Sequence, residues 1–132
     1  MRFQLSDRSL SRLAGVHPDL ARVVERAIEI TPLDFGVSEG LRSEEKQRVM
    51  MKEGRSQTMN SLHLKQPDGY GHAVDLYVLV NGSVSWEHKY FRKVIQAVFT
   101  AAIEEGVQIE AGALWRDFLD SPHIQLNQKH YG

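Results

Sequence analysis

The sequence predicts an α+β fold in which helices flank a small antiparallel sheet. Three observations carry that prediction. Apolar residues recur at helical spacing in two stretches, Leu20, Val23, Val24, Ala27 and Ile28, and later Phe91, Val94, Ile95, Val98 and Ala102. Between them the run Ala73 to Val80 alternates, with Val74, Leu76 and Val78 on one face and Asp75 and Tyr77 on the other. Asn81-Gly82 follows it directly, a dipeptide that favours a two-residue hairpin returning through Val84. At 132 residues, 42% hydrophobic and 25% charged, the chain reads as one globular domain over 1–132 without linker, repeat or low-complexity segment.

The elements follow in order. Ser6 is an N-cap, Asp7 favours the first helical turn, and Leu5 is placed to staple onto Leu10. Gly15 ends that short helix, and Pro18 opens the next where proline costs nothing. Phe35 and Val37 alternate in a short strand leading into Gly40-Leu41-Arg42. Ser43, Glu44 and Glu45 then start a third helix, which Gly54 stops. Residues 55 to 72 are polar, with Pro67-Asp68-Gly69 as an explicit turn. After the 73–80 hairpin, the longest helix runs from about Glu87 to Glu105 and is capped by Gly106. Val107 to Glu110 and His123 to Leu126 read as two further strands; in the latter, His123 and Gln125 share one face.

Charge and composition exclude several classes. A formal net charge of -1 without a basic stripe argues against nucleic acid. The N-terminal MRFQLSDRSL has no apolar core after Arg2, so it is not a secretory signal, and no run approaches the ~20 apolar residues of a membrane span. Cysteine is absent, so a closed cysteine-based structural metal site is impossible.

His63, Asp75 and His123 together offer two imidazoles and a carboxylate, with Asp120 three residues before the last of them. Three N/O ligands with a fourth position open is how catalytic zinc is held, which points to hydrolysis. Taken singly, each histidine reads first as an ordinary polar residue of a loop or strand edge. Asp75 is more unusual, because Asp is depleted in strands.

The combination resembles a known family. Ser61-x-His63 followed by Gly71-x-Ala73-x-Asp75 resembles the SxHxxGxAxD motif of the zinc DD-peptidases. These include D-alanyl-D-alanine carboxypeptidases and dipeptidases, and phage L-alanyl-D-glutamate endolysins. Gly40-Leu41-Arg42-Ser43-x-Glu45 and Gly54-Arg55-Ser56-Gln57 look like two upstream segments of that family. The stretch Trp115 to His123, with Asp120-Ser121-Pro122-His123 at its end, is similar to the endolysin ending. The resemblance covers about residues 33 to 126 and implies a DD-peptidase/hedgehog-like zinc fold. It implies Zn2+ on His63, Asp75 and His123, Asp120 as general base, Arg42 steadying the oxyanion and binding substrate, and Ser61 as a substrate contact. Peptidoglycan would be the substrate, cut between L-alanine and D-glutamate by a monomer. Such a protein would stay in the host cytoplasm until release and then act on the periplasmic cell wall. The absence of a separate wall-binding domain is similar to endolysins of phages that infect Gram-negative hosts.

Some positions depart from the pattern. His63 and Asp75 are twelve residues apart, where the motif spaces them seven apart; the extra residues surround the Pro67 turn. Ala111-Gly112-Ala113-Leu114-Trp115 stands where endolysins often read W-G-G-D-W. His72 falls at a variable motif position and reads as a second-layer or solvent residue. His17, His88 and His130 read as surface, and Arg55 and Lys65 as poorly placed to form a terminal-carboxylate pocket. Two alternatives remain at this level: a D-alanyl-D-alanine carboxypeptidase or dipeptidase, and a non-catalytic peptidoglycan-binding module on the same fold.

Overall fold

A computed structural model describes residues 3–55, 61–112 and 122–132. Its elements are α1 (Asp7–Leu13), α2 (Pro18–Ile30), β1 (Asp34–Glu39), α3 (Glu44–Lys52), β2 (Ala73–Val80), β3 (Ser83–Ser85), α4 (His88–Glu105), β4 (Ile109–Ala111), β5 (His123–Leu126) and α5 (Gln128–Tyr131). All strand pairs are antiparallel, in the order β1-β2-β5-β4, with β3 pairing to the far end of β2. This is the expected α+β architecture.

Each boundary has a local cause. Ser6 and Ser43 accept the backbone N–H of Ser9 and Lys46, capping α1 and α3. Asn81 and Gly82 both take positive φ, 52° and 80°, as the two-residue turn between β2 and β3 requires. Gly106 ends α4 in the left-handed conformation, and Val107 N–H closes back onto Ala102 C=O. That closure uses up Val107, which is why β4 starts at Ile109 and not at Val107. The four-residue α5, capped by Asn127, had no clear signature in the sequence.

The core lies between one face of the sheet and the helices α2 and α4. Val74, Leu76 and Val78 are fully buried there with Leu20, Val23, Val24, Val94 and Val98. Burying such side chains supplies about 1.5–3 kcal/mol each relative to exposure. Leu5 packs against this core, whereas its expected staple partner Leu10 is 45% exposed, because α1 turns Ser9 and Leu13 inward instead. The buried Ser9 has a task at the open edge of the sheet. Its Oγ accepts Val37 N–H at 3.0 Å, while Arg12 Nη1 donates to Val37 C=O at 2.9 Å. Two side chains of α1 thereby satisfy an edge-strand residue that could otherwise pair with another chain.

The C-terminal end is tied down by Tyr131, whose hydroxyl donates to Asp19 Oδ2 at 2.7 Å. That bond holds the Asp19 carboxyl below its usual range, with Arg22 adding to it against the effect of burial. Burial and the Asp19 bond push the Tyr131 phenol up to about 12. A depressed Asp19 contributes stability above the unfolded carboxyl range, lost as pH falls through the folded value. A raised Tyr131 contributes stability below about pH 10, lost as pH rises toward 12. Tyr131→Phe should therefore cost about 1–2 kcal/mol in denaturant titrations at neutral pH. The difference from the native protein should shrink toward both acid and strong alkali; a pH-independent difference would refute this origin.

Candidate metal centre

The opposite face of the sheet carries the polar residues. In the β2–β5 pair Asp75 stands directly opposite His123, so the alternation that buries Val74 and Leu76 aims Asp75 at the imidazole. His123 Nδ1 lies 3.2 Å from Asp75 Oδ1. On β1, a bulge between Val37 and Glu39 leaves Ser38 unpaired and sets Glu39 opposite Asp75.

His63 arrives from the loop before β2 and is fixed by its backbone on both sides. Its carbonyl accepts Arg42 N–H at 2.8 Å, and the adjacent Leu62 carbonyl accepts His72 N–H at 2.7 Å. Its ring is fixed by Gly40, whose carbonyl accepts Nδ1–H at 2.9 Å. A carbonyl only accepts, so Nδ1 carries the proton and Nε2 presents a lone pair. That Nε2 is buried, lies 3.3 Å from Asp75 Oδ2, and has no hydrogen-bond partner among the described residues.

His63, Asp75 and His123 therefore bring one ligand atom each to within 4.8 Å of the others, and the group could bind a metal ion. A buried nitrogen lone pair without a partner costs free energy unless a cation takes it, so the donor set fits such an ion. Asp75 has the charge for the purpose. Burial alone would raise its carboxyl, but the two imidazoles in contact with it, His123 and His63, outweigh burial and hold it far below the usual range.

Arg42 lies beside this group and is almost fully buried. Its Nε and Nη2 both donate to Glu39 Oε1, and Nη1 donates to Gln47 Oε1 at 2.6 Å and to Ser61 Oγ at 3.5 Å. Lys46 binds the other oxygen of Glu39. Burial would raise Glu39, but Lys46 and Arg42 overcome this and lower it. The guanidinium is thus a held, partly neutralised fork. Ser61 Oγ accepts His63 N–H at 3.2 Å, a turn-forming role that also orients the loop.

A cavity of about 730 Å³ opens next to these groups, lined by Leu41, Arg42, Ser61, Leu64 and Lys65 among others. Lys65, which the sequence reads as poorly placed for a terminal-carboxylate pocket, lines this cavity. The lengthened loop borders the cavity at its start and then folds away. Gly71 exchanges backbone hydrogen bonds of 2.9 Å with Gly15 and His17. His72 is buried, donating to Asp68 at 2.7 Å and accepting from Gln128. It anchors the loop and is not a solvent residue. His17 caps α2 through Nδ1 and packs edge-on against Tyr131 and His72.

Asp120, Trp115 and Ser121 lie outside the described residues, as do Ser56 and Gln57. Sequence reasoning missed Glu39 and Gln47 as partners of Arg42, and Gly40 as acceptor for His63. It noted the shared face of His123 and Gln125 but not what Gln125 does there. The available signal was the position of Glu39 three residues before Arg42.

Known proteins share this sequence pattern and fold. Residues 1–127 match the family model described as phage L-alanyl-D-glutamate peptidase. The chain is 31% identical to the L-alanyl-D-glutamate peptidase of Escherichia phage T5, over 96% of this chain and 99% of that protein. It is 30% identical to the protein of the same name from Listeria phage A118, over 94% of this chain but 41% of that one. The crystal structure of the Serratia marcescens L-Ala D-Glu endopeptidase ChiX superposes with a TM-score of 0.87 at 44% identity, covering 99% of this chain and 93% of that one.

The Gly40 contact generates a test. A Cβ at position 40 would sit 1.9 Å from Arg12 C=O, so the backbone has to move. Gly40→Ala should cost about 1–3 kcal/mol in denaturation as an overpacked site. It should also weaken binding of an added divalent metal, because the shifted carbonyl no longer orients His63. Unchanged metal binding in a folded variant would remove Gly40 from the centre.

Proposed function

This chain belongs to the phage L-alanyl-D-glutamate peptidase family, and from that premise we propose that it hydrolyses the bond between L-alanine and D-glutamate in peptidoglycan stem peptides, with zinc held by His63, Asp75 and His123. It is a peptidoglycan-cleaving hydrolase of the endolysin type. The observation that supports the zinc reading is the buried, unpartnered His63 Nε2 facing Asp75. Two imidazoles and a carboxylate suit zinc, and three protein ligands leave a position open for chemistry.

When bound, zinc supplies Lewis acidity, acidifying water and polarising the scissile carbonyl. The chain's own residues do the rest. Asp75 stays ionised and balances the cation's charge. Arg42, its plane set by Glu39 and Gln47, would offer a remaining Nη2 N–H to the oxygen that gains negative charge. Asp120 would accept the proton of the attacking water and pass it to the leaving amine. Ser61 would contact the substrate at the edge of the cavity it lines. No helix among the described residues is long and apolar enough to cross a membrane. In this reading the protein works as a monomer, is held in the host cytoplasm until release, and then acts on the periplasmic wall.

Digestion of purified muropeptides, read by mass spectrometry, tests the bond assignment. The expected products are peptides beginning with D-glutamate, with L-alanine left on the glycan and no new reducing sugar ends. Free D-alanine as the main product would make the protein a carboxypeptidase. No product from a zinc-loaded sample would make it a binding module. Separately, Asp120→Ala should retain zinc and fold while losing about 10²–10⁴-fold in kcat. Near-normal turnover would exclude Asp120 as the base.

A further inference from the structure

Gln125 and Glu110 form a polar chain behind His123 that the mechanism above does not use. His123 Nε2 and Gln125 Oε1 are 2.8 Å apart, and Gln125 Nε2 donates to Glu110 Oε2 at 2.9 Å. The sheet builds this arrangement. His123 and Gln125 lie two apart on β5 and so share a face, while Glu110 on β4 is the register partner of Gln125. All three side chains are half-buried, which reduces competition from water.

Hydrogen-bond logic gives the chain a direction. A carboxylate only accepts, so the amide of Gln125 must turn its nitrogen to Glu110 and its oxygen to His123. An amide oxygen also only accepts, so His123 must carry a proton on Nε2. Nδ1, the nitrogen facing Asp75 at 3.2 Å, is then the one left to coordinate. We propose that Glu110 and Gln125 are positioning residues that hold His123 in its Nε2–H form, aim its Nδ1 at the metal, and pass the charge of Glu110 through the amide to make Nδ1 a stronger donor. Gly40 does the corresponding work for His63 with a backbone carbonyl, so the two imidazoles coordinate through opposite nitrogens, His63 by Nε2 and His123 by Nδ1. Histidine ligands of metals generally need such a partner on the other nitrogen.

A plain cross-strand contact is the competing explanation, and it predicts no effect on the metal. The proposal rests on the zinc reading above, and the experiment separates the two. Zinc affinity is measured by chelator competition on wild type, Gln125→Leu, Gln125→Glu, and Gln125→Glu combined with Glu110→Gln, with thermal unfolding as the check on folding. Gln125→Leu should weaken zinc by about 10–100-fold. Gln125→Glu alone sets two carboxylates against each other and should also be impaired. The double variant restores an acceptor toward residue 123 and a donor from residue 110, and should recover affinity to within about threefold. A contact that mattered only for packing would not show this rescue. In the ¹⁵N spectrum of the zinc-loaded wild type, His123 should be protonated on Nε2 and metal-bound through Nδ1. Wild-type zinc affinity in folded Gln125→Leu, failure of the double variant to recover, or coordination through Nε2 would each overturn the proposal. A wild type that binds no zinc would overturn the zinc reading first.

Discussion

Asp75 meets His123 across the β2–β5 pair, and the rest of the centre hangs on that register. Side chains alternate with a period of two, so a slip of one residue would carry His123 and Gln125 into the apolar layer and bring Ile124 and Leu126 out. Ile124 and Leu126 are fully buried, as are Val74 and Leu76 on the neighbouring strand. The hydrophobic layer on one side of the sheet therefore locks the polar geometry on the other. Core packing and ligand placement are one constraint seen from two faces.

Once the sheet has fixed Asp75 and His123, His63 must be delivered by a loop, and the loop is held accordingly. Its backbone is bonded to Arg42 on one side, with Leu62 bonded to His72 next to it, and Ser61 caps its turn. Farther along, the turn at Asp68 is gathered against the start of α2 and α5 by His72, Gly71 and Gln128. Closing a longer loop costs only logarithmically more entropy, and these anchors offset it. The first residues after His63, Leu64 to Gln66, thus form part of the cavity wall while His63 itself stays held.

Arg42 shows the cost of burying a cation. A guanidinium removed from water needs a counter-charge, and Glu39 supplies it, itself balanced by Lys46. The bulge in β1 that sets Glu39 opposite Asp75 makes this cluster continuous with the candidate metal centre. The arrangement fixes the plane of the fork at the expense of part of its charge, so its value lies in orientation more than in field strength.

The sequence by itself determined most of the elements, though not α5 or the start of β4, and the identity of the candidate ligands. Helical spacing, the alternation of 73–80, the Asn81-Gly82 turn and the SxHxxGxAxD resemblance all depend on residues near one another or on a motif, and these are legible in one dimension. Strand alternation even placed Asp75 off the apolar face. Only the tertiary structure decided that His63 takes its proton orientation from Gly40, that Arg42 is shared among Glu39, Gln47 and Ser61, and that His72 is a buried anchor. It also decided that Glu110 stands behind Gln125, and that Tyr131 ties a short last helix to Asp19. Each of these is a donor meeting an acceptor across elements distant in the chain or through a side chain whose direction sequence spacing does not give. Periodicity assigns a residue to a face; which partner waits on that face depends on strand register, a bulge and the path of a loop.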